Sequence, residues 1–264
     1  MIVKVTAWIA PTWSQLPPLA RFLLPAWILT MVSVPILGWI WGARAQQRGI
    51  VAGVLLQSAT VVAILSATWS PGRTLTTALG IVGMGWAAEY VGSRTGIPFG
   101  RYEYTDRLQP QLGKVPVVIP IAWLMMLPAS WAVGMSAAEG LHTSIGIAAS
   151  ALAFTAWDLF LDPQMVAWGL WRWSPPAGHR PRYFGIPWIN YAGWFAVSAV
   201  ITGLLYPAAT AAADLPRDPL ILIYGITWFL ELFGQLFFWS LRGPAVAGGI
   251  GMGLCLLAGV IRSW

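Results

Sequence analysis

The chain has 264 residues, 58% of them hydrophobic and 9% charged, where ordinary soluble domains carry about 25% charged residues. With a mean hydropathy of +0.68, this excludes a soluble globular enzyme and predicts an all-α polytopic transmembrane helix bundle. The net charge of +6 is spread over short loops, which suits membrane lipids as partners and gives no sign of nucleic-acid binding.

Hydrophobic runs of about 20 residues predict about eight spans, near 22–41, 49–69, 74–92, 116–135, 141–162, 186–206, 219–241 and 244–261, within one integral membrane domain covering 1–264. Residues 1–20 lack a basic n-region and a small-residue cleavage site, so no removable signal peptide is expected. The first span contains Pro25 and Pro35, which neighbouring helices can accommodate. The last carries Gly248, Gly249, Gly251 and Gly253, which favour close packing on another helix. Cys255 is the single cysteine, so no intrachain disulfide can form.

Loop charge sets orientation. Ten basic residues (Arg44, Arg48, Arg94, Arg101, Arg107, Lys114, Arg172, Arg180, Arg182 and Arg242) fall on one side, and five (Lys4, Arg21, Arg73, Arg217 and Arg262) on the other. The expectation is an integral protein of the cell membrane with the first set cytoplasmic and the N-terminus outside. Glu89, Asp158 and Asp162 then lie at the cytoplasmic ends of spans three and five, beside Asn190 and Tyr191. Glu231 lies deeper in span seven, and His142 at the opposite face. A carboxylate in hydrocarbon costs roughly 2.5–3.5 kcal/mol on the insertion scale, so these acids point to chemistry or transport.

Asp158 and Asp162, four apart, share a helix face. Two carboxylates that close cannot both ionise cheaply in low dielectric, so one keeps its proton, as acid–base work requires. The structural alternative pairs them with loop amides, Arg172 or Arg182; for Glu89 it is a salt bridge to Arg94 or Arg101. Tyr224, Trp228, Glu231 and Gln235 form one helical stripe, read as a lined cavity or as a packing hydrogen bond. Asn190 can orient a water or a carboxylate, or cap its helix.

Two loops are distinctive. Residues 93–115 place Arg101, Tyr102, Glu103 and Tyr104 as a lid or a headgroup surface. In residues 163–185, the part from Gln164 to Trp173 is expected to lie flat in the interface as a short aromatic helix. The loops echo each other in Gly96-Ile97-Pro98-Phe99 and Gly185-Ile186-Pro187-Trp188, too short a match to establish a repeat. His179 is a lone loop histidine.

Absences narrow the chemistry. Two histidines cannot build a multi-histidine di-iron site or a usual zinc site. No nucleotide- or flavin-binding glycine motif occurs, and no Ser-His-Asp or Cys-His arrangement is plausible with His142 across the membrane. A hydroxyl group added here would come from water.

The stretches Ala88–Met126 and Trp157–Phe195, with TGIPFGRYEY, DLFLDP and YFGIPWINY, resemble the CruF-type carotenoid biosynthesis family, membrane carotenoid 1′,2′-hydratases that include archaeal bisanhydrobacterioruberin hydratases. The resemblance implies addition of water to the terminal double bond of an acyclic (ψ) carotenoid end, lycopene-like or γ-carotene-like, giving a tertiary alcohol with no redox cofactor and no metal. Other carotenoid-pathway enzymes are implied partners. The roles that suit this chemistry are Asp158 or Asp162 as acid, Glu89 as water-activating base and Asn190 as orienting group. Tyr102, Tyr104, Trp157, Tyr191 and Trp194 would stabilise the cation, with Glu231 on the substrate cavity. Competing readings are a Mg²⁺-dependent intramembrane prenyltransferase, from the Asp158-x-x-x-Asp162 spacing, a proton-coupled transporter, and a pigment-binding protein that leaves carotenoid unchanged.

Overall fold

The computed structural model describes residues 11–175, 181–211 and 214–262; Lys4, His179, Arg180 and the Arg262 side chain lie outside them. The described residues form eight helices of 20 or more residues: α1 (Pro18–Trp41), α2 (Ala43–Thr68), α3 (Pro71–Thr95), α4 (Val118–Ala137), α5 (Thr143–Ala167), α6 (Trp188–Thr210), α7 (Arg217–Phe237) and α8 (Arg242–Arg262). Each matches one expected span within a few residues. Seven are long and apolar enough to cross a membrane. The exception is α3, whose inner stretch carries Glu89 with several glycines and threonines, although its 25 residues reach roughly 1.5 Å each along the axis.

The protein is an all-α polytopic integral membrane protein. α4, with its most apolar stretch 83% buried, is the hub and touches α2, α3, α5, α7 and α8, while α1 packs chiefly on α2. Phe22, Trp39, Leu204 and Leu254 turn outward, each more than 60% exposed. Such an apolar exterior is stable only in lipid. Small residues bring the backbones close. A Cβ at Gly134 of α4 would collide with the backbone nitrogen and Cα of Ser150 on α5, and a Cβ at Gly248 of α8 would lie 2.6 Å from the Phe160 ring of α5. Gly134→Val is therefore expected to destabilise the α4–α5 seam by about 1–3 kcal/mol or more, read as a lowered melting temperature in detergent. A variant melting like the parent would show that this seam can open.

Between α3 and α4 run β1 (Tyr102–Tyr104), β2 (Gln111–Leu112) and β3 (Val115–Pro116); between α5 and α6 run β4 (Trp171–Trp173), β5 (Arg182–Tyr183) and β6 (Ile186–Pro187). The expected flat aromatic helix from Gln164 to Trp173 does not form. α5 continues to Ala167, Gly169 turns the chain at φ +66°, and Trp171–Trp173 is extended. The alternating Trp-Arg-Trp pattern suits a half-buried strand, one face in and one out.

The two loops share a plan. In each, an odd-numbered helix ends, a three-residue strand follows, then a two-residue hairpin whose second strand ends in proline and starts the next helix. The turns are Gly113-Lys114, with φ +61° and +64°, and Phe184-Gly185, with φ +46° and +89°. Two consecutive positive φ values suit two-residue hairpins with right-handed strand twist. Arg94 donates to Gly113 O at 2.9 Å in the first, and Arg182 to Gly185 O at 2.7 Å in the second. Val115-Pro116 is thus the counterpart of Ile186-Pro187, and the Gly-Ile-Pro echo in the sequence is offset from the structural one. β1 pairs antiparallel with β4, joining the loops directly.

Candidate active site

Ser70 caps the start of α3 with Pro71 next to it, and the left-handed Gly96 (φ +77°) ends the helix. The chain then doubles back, so that Tyr102 is buried, Glu103 exposed and Tyr104 half-buried along β1. Gly92, one turn beyond Glu89, makes room for this return: a Cβ there would lie 2.5 Å from the Phe99 ring and 3.3 Å from the Tyr102 hydroxyl. Tyr102 and Tyr104 donate to Glu89 Oε2 at 2.5 and 2.7 Å, and Trp123 Nε1 on α4 donates to Oε1 at 3.3 Å. Burial, then the charge of Glu89, pushes both phenols far above their ordinary range. They remain O–H donors at any working pH.

The second loop repeats this construction around Asp162. Trp171 and Trp173 Nε1 of β4 donate to Oδ1 at 2.6 and 2.9 Å. Asn190 on α6 sends one amide hydrogen to Asp162 Oδ2 at 2.8 Å and the other to Asp158 Oδ2 at 2.7 Å. The strand register sets Tyr102 opposite Trp173 and Tyr104 opposite Trp171, with ring centroids 5.0 and 5.8 Å apart.

The arginine pairings considered from sequence are absent among the described residues. Arg94 and Arg182 bond hairpin carbonyls, and the only salt bridge found, Arg217–Glu139, joins residues near the opposite helix ends. Asn190 does not cap α6, since Pro187 occupies the cap position. The α7 stripe divides: Tyr224 bonds Ala153 O at 2.9 Å and Trp228 bonds Gly249 O at 2.8 Å, while Gln235 reaches Gln164 Oε1 at 2.6 Å and Glu231 Oε2 at 3.4 Å. His142 caps α5 at the far end, accepting from Ser144 N.

These groups surround a cavity of about 230 Å³. Glu89, Asp162, Asn190 and Glu231 line it, as do Tyr102, Tyr104, Trp157 and Trp194 from the sequence candidates. Asp158 and Tyr191 do not. Asp158 lies behind the wall, joined to Asp162 through Asn190, and Tyr191 packs on Tyr183 and Trp188 at 5.6 and 5.5 Å. The cavity is lined partly by the two loops and the helix ends that carry them, and it extends past Met31 and Pro35 of α1, Val54 of α2 and Phe233 of α7. Sequence reading missed Trp123, Trp171 and Trp173 as carboxylate donors. Their signal was present: Tyr-x-Tyr and Trp-x-Trp each follow an acid within 15 residues, the period of a strand returning over a helix end.

Trp123, Phe154 and Trp194 stack beneath the carboxylates with centroids 4.9–5.1 Å apart, and Trp157 lies 6.1 Å from Trp194. An aromatic floor under acids with no nearby arginine or lysine can hold an apolar molecule and stabilise positive charge on it.

Residues 49–257 match the family model described as "Carotenoid biosynthesis protein". Over 183 residues the chain is 31% identical to a bisanhydrobacterioruberin hydratase of Haloarcula japonica, covering 64% of this chain and 58% of that protein's length. No solved structure matches.

Proposed function

Since the chain belongs to the carotenoid biosynthesis protein family, we propose that it is a carotenoid hydratase, a hydro-lyase adding water across the terminal 1′,2′ double bond of an acyclic carotenoid end. The observation that carries this is the pair of buried carboxyl groups with different hydrogen-bond donors, Glu89 and Asp162, on one aromatic cavity. The hydratase name of the relative supports the reaction class.

The donors favour distinct roles. All those around Asp162 are N–H groups, which cannot accept a proton, and they engage both oxygens. That suits an anion. Glu89 Oε2 takes both tyrosine hydroxyls, whereas Oε1 has only the longer Trp123 contact. A proton on Oε1 is free to meet the substrate, and the phenols stabilise the carboxylate it leaves behind. This exchanges the roles expected from sequence: Glu89 is the acid and Asp162 the base. Asp158, behind the wall, steadies Asn190.

In the reaction, the alkene π electrons take the Glu89 proton at C2′, leaving a tertiary cation at C1′. Trp123, Trp157, Trp194, Tyr102 and Tyr104 surround the cavity, and aromatic faces contribute up to about 2 kcal/mol each to a desolvated cation. A water lone pair closes the C1′–O bond, Asp162 takes the released proton, and its return to Glu89 resets the site. The polyene lies in the cavity and reaches it from the lipid. The ten-to-five distribution of basic residues supports placing the site at the cytoplasmic face.

The donor set disfavours the prenyltransferase reading. A cation between Asp158 and Asp162 would need oxygen ligands, and the amide N–H groups of Asn190 point there instead. Expression in lycopene- and γ-carotene-producing hosts is expected to yield pigment heavier by one water, with the oxygen labelled from H₂¹⁸O. Unchanged pigment in both hosts, with the protein inserted, would overturn the proposal.

A further inference from the structure

A hydratase has two substrates, and a cavity shaped for a polyene must still admit and hold water. One wall differs from the rest. Thr227, Glu231 and Gln235 recur every four residues along α7, on one side of that helix. Gln57 of α2 donates to Thr227 Oγ1 at 3.0 Å, and Gln235 Nε2 bonds Gln164 Oε1 at 2.6 Å and Phe160 O at 2.9 Å. Gln57, Gln164, Thr227 and Glu231 all face the cavity. Glu231 is separate from the Glu89 and Asp162 clamps, and no strand donor reaches it.

Two buried polar atoms flank this wall without a hydrogen-bond partner: Trp157 Nε1, a donor, and Gln235 Oε1, an acceptor. Trp157 is 2% exposed and Gln235 fully buried, and the Trp157 indole N–H is close enough to the Glu231 carboxyl to act on it without reaching hydrogen-bond geometry. An unmet donor and an unmet acceptor beside a carboxyl are the two to four partners that hold an internal water. Leaving them unsatisfied would cost free energy. Asp162, which takes the proton from water in the reaction above, comes from the same helix, α5, as Trp157 and lines the same cavity.

We propose that the Glu231 wall, with Trp157 Nε1 and Gln235 Oε1, is the water-holding site of the reaction and that Glu231 is a positioning residue for the attacking water. This rests on the hydratase reading. Protonation at C2′ is left to Glu89, and Glu231 acts after it, on capture of the cation. A cation not captured returns its proton, either from C2′ to regenerate the starting alkene or from a methyl group to give the isopropenyl isomer. In D₂O both routes leave deuterium at C2′ of unhydrated pigment.

The test is the ratio of hydrated pigment to deuterated, unhydrated pigment made in D₂O by the full chain in membranes. Being a ratio, it does not depend on how much protein folds. In Glu231→Gln it is expected to fall by about 10²-fold, the scale of misplacing a reacting group, while deuterium continues to enter; Glu231→Asp should recover part of the loss. An unchanged ratio in Glu231→Gln, or loss of hydration and deuteration together in protein that remains inserted, overturns the proposal. Failure of the hydratase reading is distinguishable, because the unsubstituted protein would then hydrate nothing.

Discussion

Glu89→Gln is expected to lower carotenoid hydration by about 10²–10⁴-fold, the usual contribution of a positioned acid, and to abolish deuterium incorporation at C2′ as well. The amide keeps an oxygen to accept from Tyr102 and Tyr104, so the loop should stay docked and the protein should insert and extract normally. Loss of both signals is what separates this variant from Glu231→Gln, whose proposed effect comes after protonation. Pigment mass and deuterium content in one culture report both. Normal hydration by Glu89→Gln would remove Glu89 from the chemistry and leave Asp158 or Asp162, the acids expected from the sequence.

The second large effect is structural. Asn190→Leu removes the two amide hydrogens that Asp158 and Asp162 share, leaving two buried carboxyl groups with an apolar neighbour. Each unsatisfied buried group costs about 1–3 kcal/mol, more when charged, so a loss of roughly 2–6 kcal/mol is expected. That should appear as poor yield and a lowered melting temperature in detergent. Adding Asp158→Asn to Asn190→Leu restores an amide donor one helical turn from Asp162 and is expected to recover part of the loss. A stable Asn190→Leu single variant would refute the bridging role.

The helical spans were legible because a membrane demands about 20 apolar residues in a row, and that demand is written locally. Even α3 was found, since Arg73 and Arg94 flank its apolar middle. The loops were not, because strands of two or three residues carry too few alternations to be told from an aromatic helix. Trp171 and Trp173 fell on the wrong side of that ambiguity. The four-residue spacing of Asp158 and Asp162 did put them on one helix face, and both meet Asn190. Spacing alone could not tell that Asp162 faces the cavity while Asp158 stands behind it. That distinction depends on α6, 28 or more residues away in the chain.

The β1–β4 pairing is only three residue pairs long, yet it serves as a ruler. Opposed residues in an antiparallel ladder are held about 4.5–5.5 Å apart, and here they carry the rings that grip Glu89 and those that grip Asp162. The proposed acid and base are therefore tied to one backbone ladder through the side chains that grip them. Addition across a double bond joins hydrogen and oxygen to adjacent carbons, so its two partners must keep a fixed separation whatever the length of the polyene behind them. On the proposed function, a ladder this short would set that interval locally, through three residue pairs, without involving the rest of the bundle.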